Sequence, residues 1–275
     1  MMTLDNPTPP AGFTNVIGLG LPQAVFPVKR TSKYGSLVFA VFLLGAAALL
    51  ALGSLVYTFY QVNRLGPAVM ERMIRDTVLP LSCGALVTFG LGLLAAWSAY
   101  SNWKKTVVVY TDGLAYSDRK GLRQARWDQI ASLTSAVTKH YRNGIYTGTS
   151  HAYTVLSREG EKWVFNDSIQ NVEALSNHIR QGTYPHLYED AADAYNAGKT
   201  LQFGSVAISK AGIQLGKKSY QWDEVLHVSV RQGVLKVAKH DGGWFSGANI
   251  AVSSIPNLPV LLSIIDQVIG IRTEG

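Results

Sequence analysis

Two long runs without a charged side chain constrain this chain more than any other feature. Residues 36–60 (SLVFAVFLLGAAALLALGSLVYTFY) and, from about Thr77 to Tyr100, residues 77–100 (TVLPLSCGALVTFGLGLLAAWSAY) contain no acid, base or histidine. At a helical rise of about 1.5 Å per residue, each is long enough to cross a hydrocarbon core of roughly 30 Å. Aromatic residues gather at their ends (Tyr34, Tyr57, Tyr60, Trp97, Tyr100, Trp103), where amphipathic rings favour the headgroup layer. The first run starts too late and is too long for a cleaved leader. The expectation is a two-helix transmembrane hairpin over residues 36–100.

Within the second run, Gly84, Thr88, Gly92 and Ala96 recur every four residues and predict a narrow groove for helix packing. Gly45, Ala47, Ala51 and Gly53 are the small residues that the first run offers in return. Packing of the two helices on each other is expected ahead of homo-oligomer formation through the same stripe. With no ionisable group inside either span, a transport pathway through the hairpin is not expected. The outer flanks carry Lys29, Arg30, Lys33, Lys104 and Lys105, against Arg64, Arg72 and Arg75 between the runs. This juxtamembrane basic bias places both termini in the cytoplasm, and the single cysteine, Cys83, agrees with a reducing compartment.

Beyond Trp103 the text changes to short β-branched and aromatic runs separated by turn residues, the signature of hairpins. The pattern then repeats. Gly113-Leu114 followed by Arg126-Trp127-Asp128-Gln129-Ile130 is echoed by Gly212-Ile213 followed by Gln221-Trp222-Asp223-Glu224-Val225. Ile169-Gln170-Asn171-Val172 leads into helical spacing through Leu175 and Ile179, and Ile255-Pro256-Asn257-Leu258 does so through Leu261, Leu262 and Ile265. Gly182 and Gly270 are suited to end these helices, and Asn171 and Asn257 to cap their starts through the side chain. Residues 185–197 read as a linker helix stopping at Gly198.

This order resembles the bacterial pleckstrin-homology-like domains: a hairpin entered through Thr-Asp-Gly-Leu, a strand near Trp-Asp-x-Ile, further strands and one C-terminal helix. The whole chain is similar to an uncharacterised bacterial membrane-protein family in which a two-helix transmembrane anchor precedes tandem domains of this kind. Phe203-Gly204-Ser205-Val206, Trp222-Asp223-Glu224-Val225 and Ile255-Pro256-Asn257-Leu258-Pro259 carry that likeness. The resemblance implies an α+β fold and no particular activity. The expected organisation is an N-terminal cytoplasmic segment over 1–35, disordered in its first part, the hairpin over 36–100, a first domain over 104–182, a linker helix over 183–199 and a second domain over 200–272.

Residues 104–182 hold 11 Lys and Arg against 7 Asp and Glu, whereas 183–275 hold 8 of each, so the first copy is the basic one, read either as a solvated surface or as a face held near anionic headgroups. Two clusters there are candidates for lipid or partner contact: Arg119, Lys120, Arg123 and Arg126 around one turn, and Lys139, Tyr141, Arg142 and Tyr146 around an Asn-Gly tip. The tip falls where the first copy is longer. Ile130 and Ile169 are 39 positions apart, Val225 and Ile255 only 30. Trp127-Asp128 and Trp222-Asp223 are expected to be structural, and the closing helix of the second copy, apolar on more than one face, is expected to be covered by the first copy.

Nucleophile elbows, phosphate loops and dinucleotide fingerprints are missing from the text, and no histidine has a sequence neighbour suited to acid–base work or to zinc. The expectation is therefore a non-enzymatic, membrane-anchored binding or scaffolding module without cofactor, metal or nucleic acid. It would present its tandem domains to anionic lipid or a protein partner. The alternative is a subunit of an oligomeric membrane channel or transport assembly.

Overall fold

The structure, a computed structural model, describes residues 8–13, 16–66, 68, 70–103, 105–240 and 248–270, which fall into two compact units. The start of the 1–35 segment and the end of the 200–272 domain lie partly outside the described residues, as does Lys104.

The helical unit comprises residues 27–106 with 117–121. It contains α1 (Arg30–Leu65), a short α2 (Met70–Met73), a π-helical turn (Ile74–Val78) and α3 (Leu79–Trp103). The helices outrun the charge-free stretches, so Arg64, Arg72 and Arg75 are helical too. The wide turn precedes Pro80, with Leu79 N–H bonded to the Ile74 carbonyl. A proline lacks an N–H and crowds the preceding turn, and an extra residue in that turn accommodates it.

The α1–α3 contact follows a heptad. Ala40, Ala47 and Ser54 are the buried residues of α1, and Ala85, Gly92 and Ala99 are their counterparts on α3. Half-buried Leu43, Leu50, Thr88 and Ala95 fall between them. A seven-residue repeat keeps one seam facing its neighbour, whereas a four-residue repeat drifts around the helix. Of the expected groove residues, Gly92 is buried and Gly84, Thr88 and Ala96 are half-buried, beside the heptad seam. Gly92 lies at its centre, where a β-carbon would come within 2.8 Å of Leu44, but Gly84, Gly45 and Gly53 face open space. Hydroxyls within the spans bond back to their own helix, Thr88 to the Gly84 carbonyl at 2.9 Å and Thr58 to the Ser54 carbonyl at 2.7 Å. Outside the seam, Phe42, Leu49, Phe59, Leu86, Phe89 and Leu94 are exposed. Both helices are long and apolar enough to cross a membrane.

The second unit is α+β and holds the described residues of 1–26, 107–116 and 122–275. Its strands form two four-stranded sheets, β1-β2-β3-β4 and β8-β9-β10-β11, and two three-stranded sheets, β5-β6-β7 and β12-β13-β14. In the first set these are β1 (Pro22–Pro27), β2 (Thr106–Tyr110), β3 (Gly113–Asp118), β4 (Gly121–Arg126), β5 (Ile130–Arg142), β6 (Ile145–Ser157) and β7 (Lys162–Asn166). The second set runs β8 (Leu201–Phe203), β9 (Val206–Ile208), β10 (Gly212–Leu215), β11 (Lys218–Gln221), β12 (Val225–Arg231), β13 (Val234–Lys239) and β14 (Ala248–Ala251). Each set is followed by a helix, α4 (Val172–Asn196) and α5 (Leu258–Ile269).

The repeat extends to individual bonds. Trp127 and Trp222 each open a single 3-10 turn between the two sheets. Their indole N–H groups donate to the carbonyls of Thr111 at 2.9 Å and Ser209 at 2.8 Å. Side chains at the third position of each turn, Gln129 and Glu224, accept from the N–H of Arg126 and Gln221. A β-carbon on Gly113 or Gly212 would strike the carbonyl of Ala125 or Tyr220. These contacts make the Trp-Asp elements structural in both copies.

Matching the two sets strand by strand shows where the helical unit enters the chain. β8 and β9 are joined by Gly204 and Ser205, whereas the equivalent β1 and β2 are joined by residues 28–105. The helices are thus an insertion in the first strand connection of the first copy. The expected organisation names no strand in the 1–35 segment, and residues 22–27 (PQAVFP) begin and end in proline. Proline is tolerated on an edge strand, and β1 is one. The same segment places Phe13 and Leu19 against Val108, Tyr110 and Ala115, while Val107 and Val109 face the main core. Covered on both faces, β2 reads as a continuous apolar run.

Two main cores lie behind the sheets. The first gathers Leu114, Ile130, Trp163, Phe165, Leu175 and Ile179, and the second Ile208, Ile213, Leu235, Ile255, Leu261 and Ile265. α4 serves both. Val172, Leu175 and Ile179 belong to the first core, and Leu187, Tyr188 and Ala191 pack on the second. A stop at Gly182 and a separate linker helix are therefore corrected to one continuous helix. Gly182 has a different role, since a β-carbon there would overlap the Trp127 ring. The real stop is at Gly198, with φ of 78° and its N–H bonded to the Tyr195 carbonyl; Gly270 ends α5 with φ of 73°. The cover over α5 comes from the distal half of α4, where Tyr184 bonds Ser263 at 2.8 Å.

Candidate functional site

β5 and β6 run in register from Ile130–Ser157 outward to Arg142–Ile145, with irregularities next to Ile130 and between His140 and Tyr141. The connection is Asn143 (φ 51°) and Gly144 (φ 80°), the residue pair that a tight hairpin turn with both central residues left-handed demands. In the second copy the equivalent turn, Gln232 and Gly233, comes after a seven-residue strand instead of a thirteen-residue one. Every residue from Val137 to Thr147 is exposed. Across the tip the Tyr141 and Tyr146 rings meet edge to face at 5.9 Å, and Ile145 is 71% exposed. Lys139 and Arg142 lie on the same strand end. Large apolar groups and cations thus share one projecting element, a combination suited to inserting rings and stems beside anionic groups.

The four cations at the β3–β4 turn are dispersed. Arg119 belongs to the helical unit, its guanidinium 4.1 Å from the Trp97 ring centre and 5.5 Å from that of Tyr100. Arg123 turns inward over Tyr116 at 5.2 Å and Trp163 at 6.0 Å. Arg126 pairs with Asp128 at 3.3 Å. Lys120 is exposed in the turn, its backbone N–H held by Asp118 at 2.8 Å. Strand alternation explains the split, because neighbouring residues of β4 face opposite ways. Of the flanking cations, Lys29 immediately precedes α1, Arg30 begins it and Lys33 lies 4.1 Å from the Trp103 ring centre; Lys105 is half-buried.

One cluster has no counterpart among the motifs legible in the sequence. His151 Nδ1 lies 3.0 Å from Asp167, its Nε2 lies 2.6 Å from Glu173, and its backbone N–H donates to the second Asp167 oxygen at 2.6 Å. The pairing of Ala152 with Asn166 brings residues 151 and 167 together, which spacing along the chain does not reveal. Beside it, burial pushes the Tyr153 hydroxyl above its ordinary pKa. The charges of Glu173 and Asp167 add to that rise, while a hydrogen bond from Ser176 and the charge of Arg180 oppose it. Both imidazole nitrogens are committed to carboxylates, so the histidine joins β6 to the start of α4 and has no free nitrogen to offer a substrate. Among the described residues no group of three or more His, Cys, Asp or Glu is placed to hold a metal ion.

The fold and these surfaces define a two-helix apolar insertion within a repeated α+β body. Residues 14–270 match the family described as a family of unknown function, DUF6585, and the chain belongs to it. No match was found among curated proteins or among solved structures.

Proposed function

We propose that this chain is a non-enzymatic, membrane-anchored binding module. In this reading α1 and α3 cross a bacterial cell membrane, and two pleckstrin-homology-like bodies stand on its cytoplasmic side with both termini. The exposed β5–β6 tip carries the proposal: it engages an anionic lipid surface through Lys139, Tyr141, Arg142 and Tyr146. A soluble core helix would be mostly buried, but the most apolar windows of the two helices are only 11% and 6% buried. Exposed apolar surface of that extent calls for lipid. Because β1 and β2 flank the insertion and pair in one sheet, the segments on either side of the hairpin share one side of the bilayer. Four strands, three strands and one closing helix in each copy support the pleckstrin-homology-like assignment.

The channel-subunit reading draws less support, because Leu44 of the same chain already fills the space at Gly92. The test uses the full chain with Cys83→Ala and Ile145→Cys, labelled with an environment-sensitive fluorophore and reconstituted into phosphatidylcholine vesicles with or without phosphatidylglycerol. A blue shift that requires phosphatidylglycerol and is lost in Lys139→Gln/Arg142→Gln is expected. Equal emission in both membranes overturns the lipid reading, and a shift produced only by adding a protein fraction moves the tip to a protein partner.

A further inference from the structure

A cavity of about 160 Å³ lies between the two copies, bounded by Leu133 of β5, Leu187 of α4 and Ile255 and Val260 at the start of the second closing helix. Its size is close to that of a cavity able to hold one benzene-sized group. Most of the polar groups around it are already engaged. Thr183 donates to the Ile179 carbonyl at 2.8 Å, Tyr184 bonds Ser263, and Asn257 is held by Leu133 and Ala131. Arg180 differs from these. It is the charged residue of the lining, exposed at the rim, and bonds the neutral Asn177 side chain at 2.8 Å. Among the described residues no carboxylate stands within ion-pairing distance of it. A guanidinium has five N–H donors, so most of its capacity faces outward beside an apolar chamber.

We propose that this cavity binds a small amphiphilic anion, a carboxylate on an apolar tail of about six to eight carbons. The tail occupies the space between Leu133 and Val260, and the carboxylate pairs with Arg180. Such a ligand touches both copies at once and stabilises the seam between them by mass action. The site is separate from the β5–β6 tip and does not depend on the reading of that tip.

The test is calorimetric titration of octanoate into the full chain in phosphatidylcholine nanodiscs, with empty nanodiscs as the blank. Saturable binding is expected, weakened about tenfold or more in Arg180→Gln through loss of a charge-assisted bond. 1-Octanol, with the same tail and no charge, is expected to bind more weakly and to be indifferent to Arg180→Gln. Arg180 is exposed, so its variant keeps the fold, which thermal unfolding checks. Val252→Phe, which fills the chamber from another wall, abolishes both. Absence of saturable heat, equal octanoate affinity in Arg180→Gln, or octanol binding as tight as octanoate each overturns the proposal.

Discussion

Asn257 has a φ of 52°, a left-handed backbone that asparagine tolerates better than most residues. Position and residue type point to a helix cap, and Asn171 shares the conformation, but neither makes a side-chain cap bond. Instead Asn257 reads the edge of β5. Its Oδ1 accepts from Leu133 N–H at 2.8 Å, its Nδ2 donates to the Ala131 carbonyl at 3.0 Å, and its own N–H donates to the Leu133 carbonyl at 2.9 Å. The side chain imitates a strand and joins the two copies, a role that depends on tertiary placement and leaves no mark in sequence. Asn257→Gly retains the backbone conformation and leaves two backbone groups unpaired, so a loss of about 2–4 kcal/mol is expected in denaturant unfolding. Asn171→Gly is expected to cost far less. Gly182 misleads for the same reason, since the Trp127 ring that demands it is distant in sequence. Gly182→Ala, which would stabilise an isolated helix, is expected to destabilise this one by about 1–3 kcal/mol through overpacking. Thermal unfolding of the two variants gives the comparison.

At the scale of elements, the apolar helices are legible because a charge-free run of such length has few destinations besides a bilayer. The Asn-Gly tip, the glycine stops at Gly198 and Gly270 and the first hairpin of the body are legible from turn chemistry, unlike β1. The phase of the helix seam is not. A four-residue stripe and a heptad share Thr88 and Gly92 and separate only at their ends, where Ala85 and Ala99 are buried while Gly84 and Ala96 are half-buried. The difference is measurable. Gly92→Leu is expected to force α1 and α3 apart, because its first added carbon already meets Leu44, and to lower the thermal midpoint of the full chain in detergent. Gly84→Leu points into open space and is expected to leave that midpoint nearly unchanged. Equal effects at the two positions would return the seam to the four-residue stripe. The His151 latch also belongs to this scale. His151→Ala removes the partner that Asp167 and Glu173 share, both of which stay in reach of solvent, and a cost of about 0.5–1.5 kcal/mol is expected in the same assay.

For the whole molecule, the decisive relation is that the apolar helical hairpin interrupts a repeat instead of preceding it. The boundary after residue 103 is visible as a change in composition, but nothing in composition shows that residues 8–13 and 16–26 return to the body beyond it. That follows from hydrogen bonds across the insertion: Thr111 N–H to the Leu21 carbonyl at 3.0 Å, Asp112 N–H to the Leu19 carbonyl at 3.0 Å, and the Tyr110 hydroxyl to the Phe13 carbonyl at 3.1 Å. Two truncations that both remove the helices should therefore behave oppositely. A fragment beginning at Thr106 loses β1, exposes the edge of β2 and uncovers Val108, Tyr110 and Ala115, an unpaired apolar edge that invites aggregation. Replacing residues 28–105 by Gly-Ser, the pair that joins β8 to β9, keeps β1 beside β2 and removes the exposed apolar helices. The shortened chain is expected to be soluble without detergent and to unfold cooperatively, whereas the fragment from Thr106 precipitates or exchanges its β2 amides rapidly. A fragment from Thr106 as stable as the joined chain would show that β1 lies on the body without contributing to it, and would restore the simpler order of anchor first, domains after.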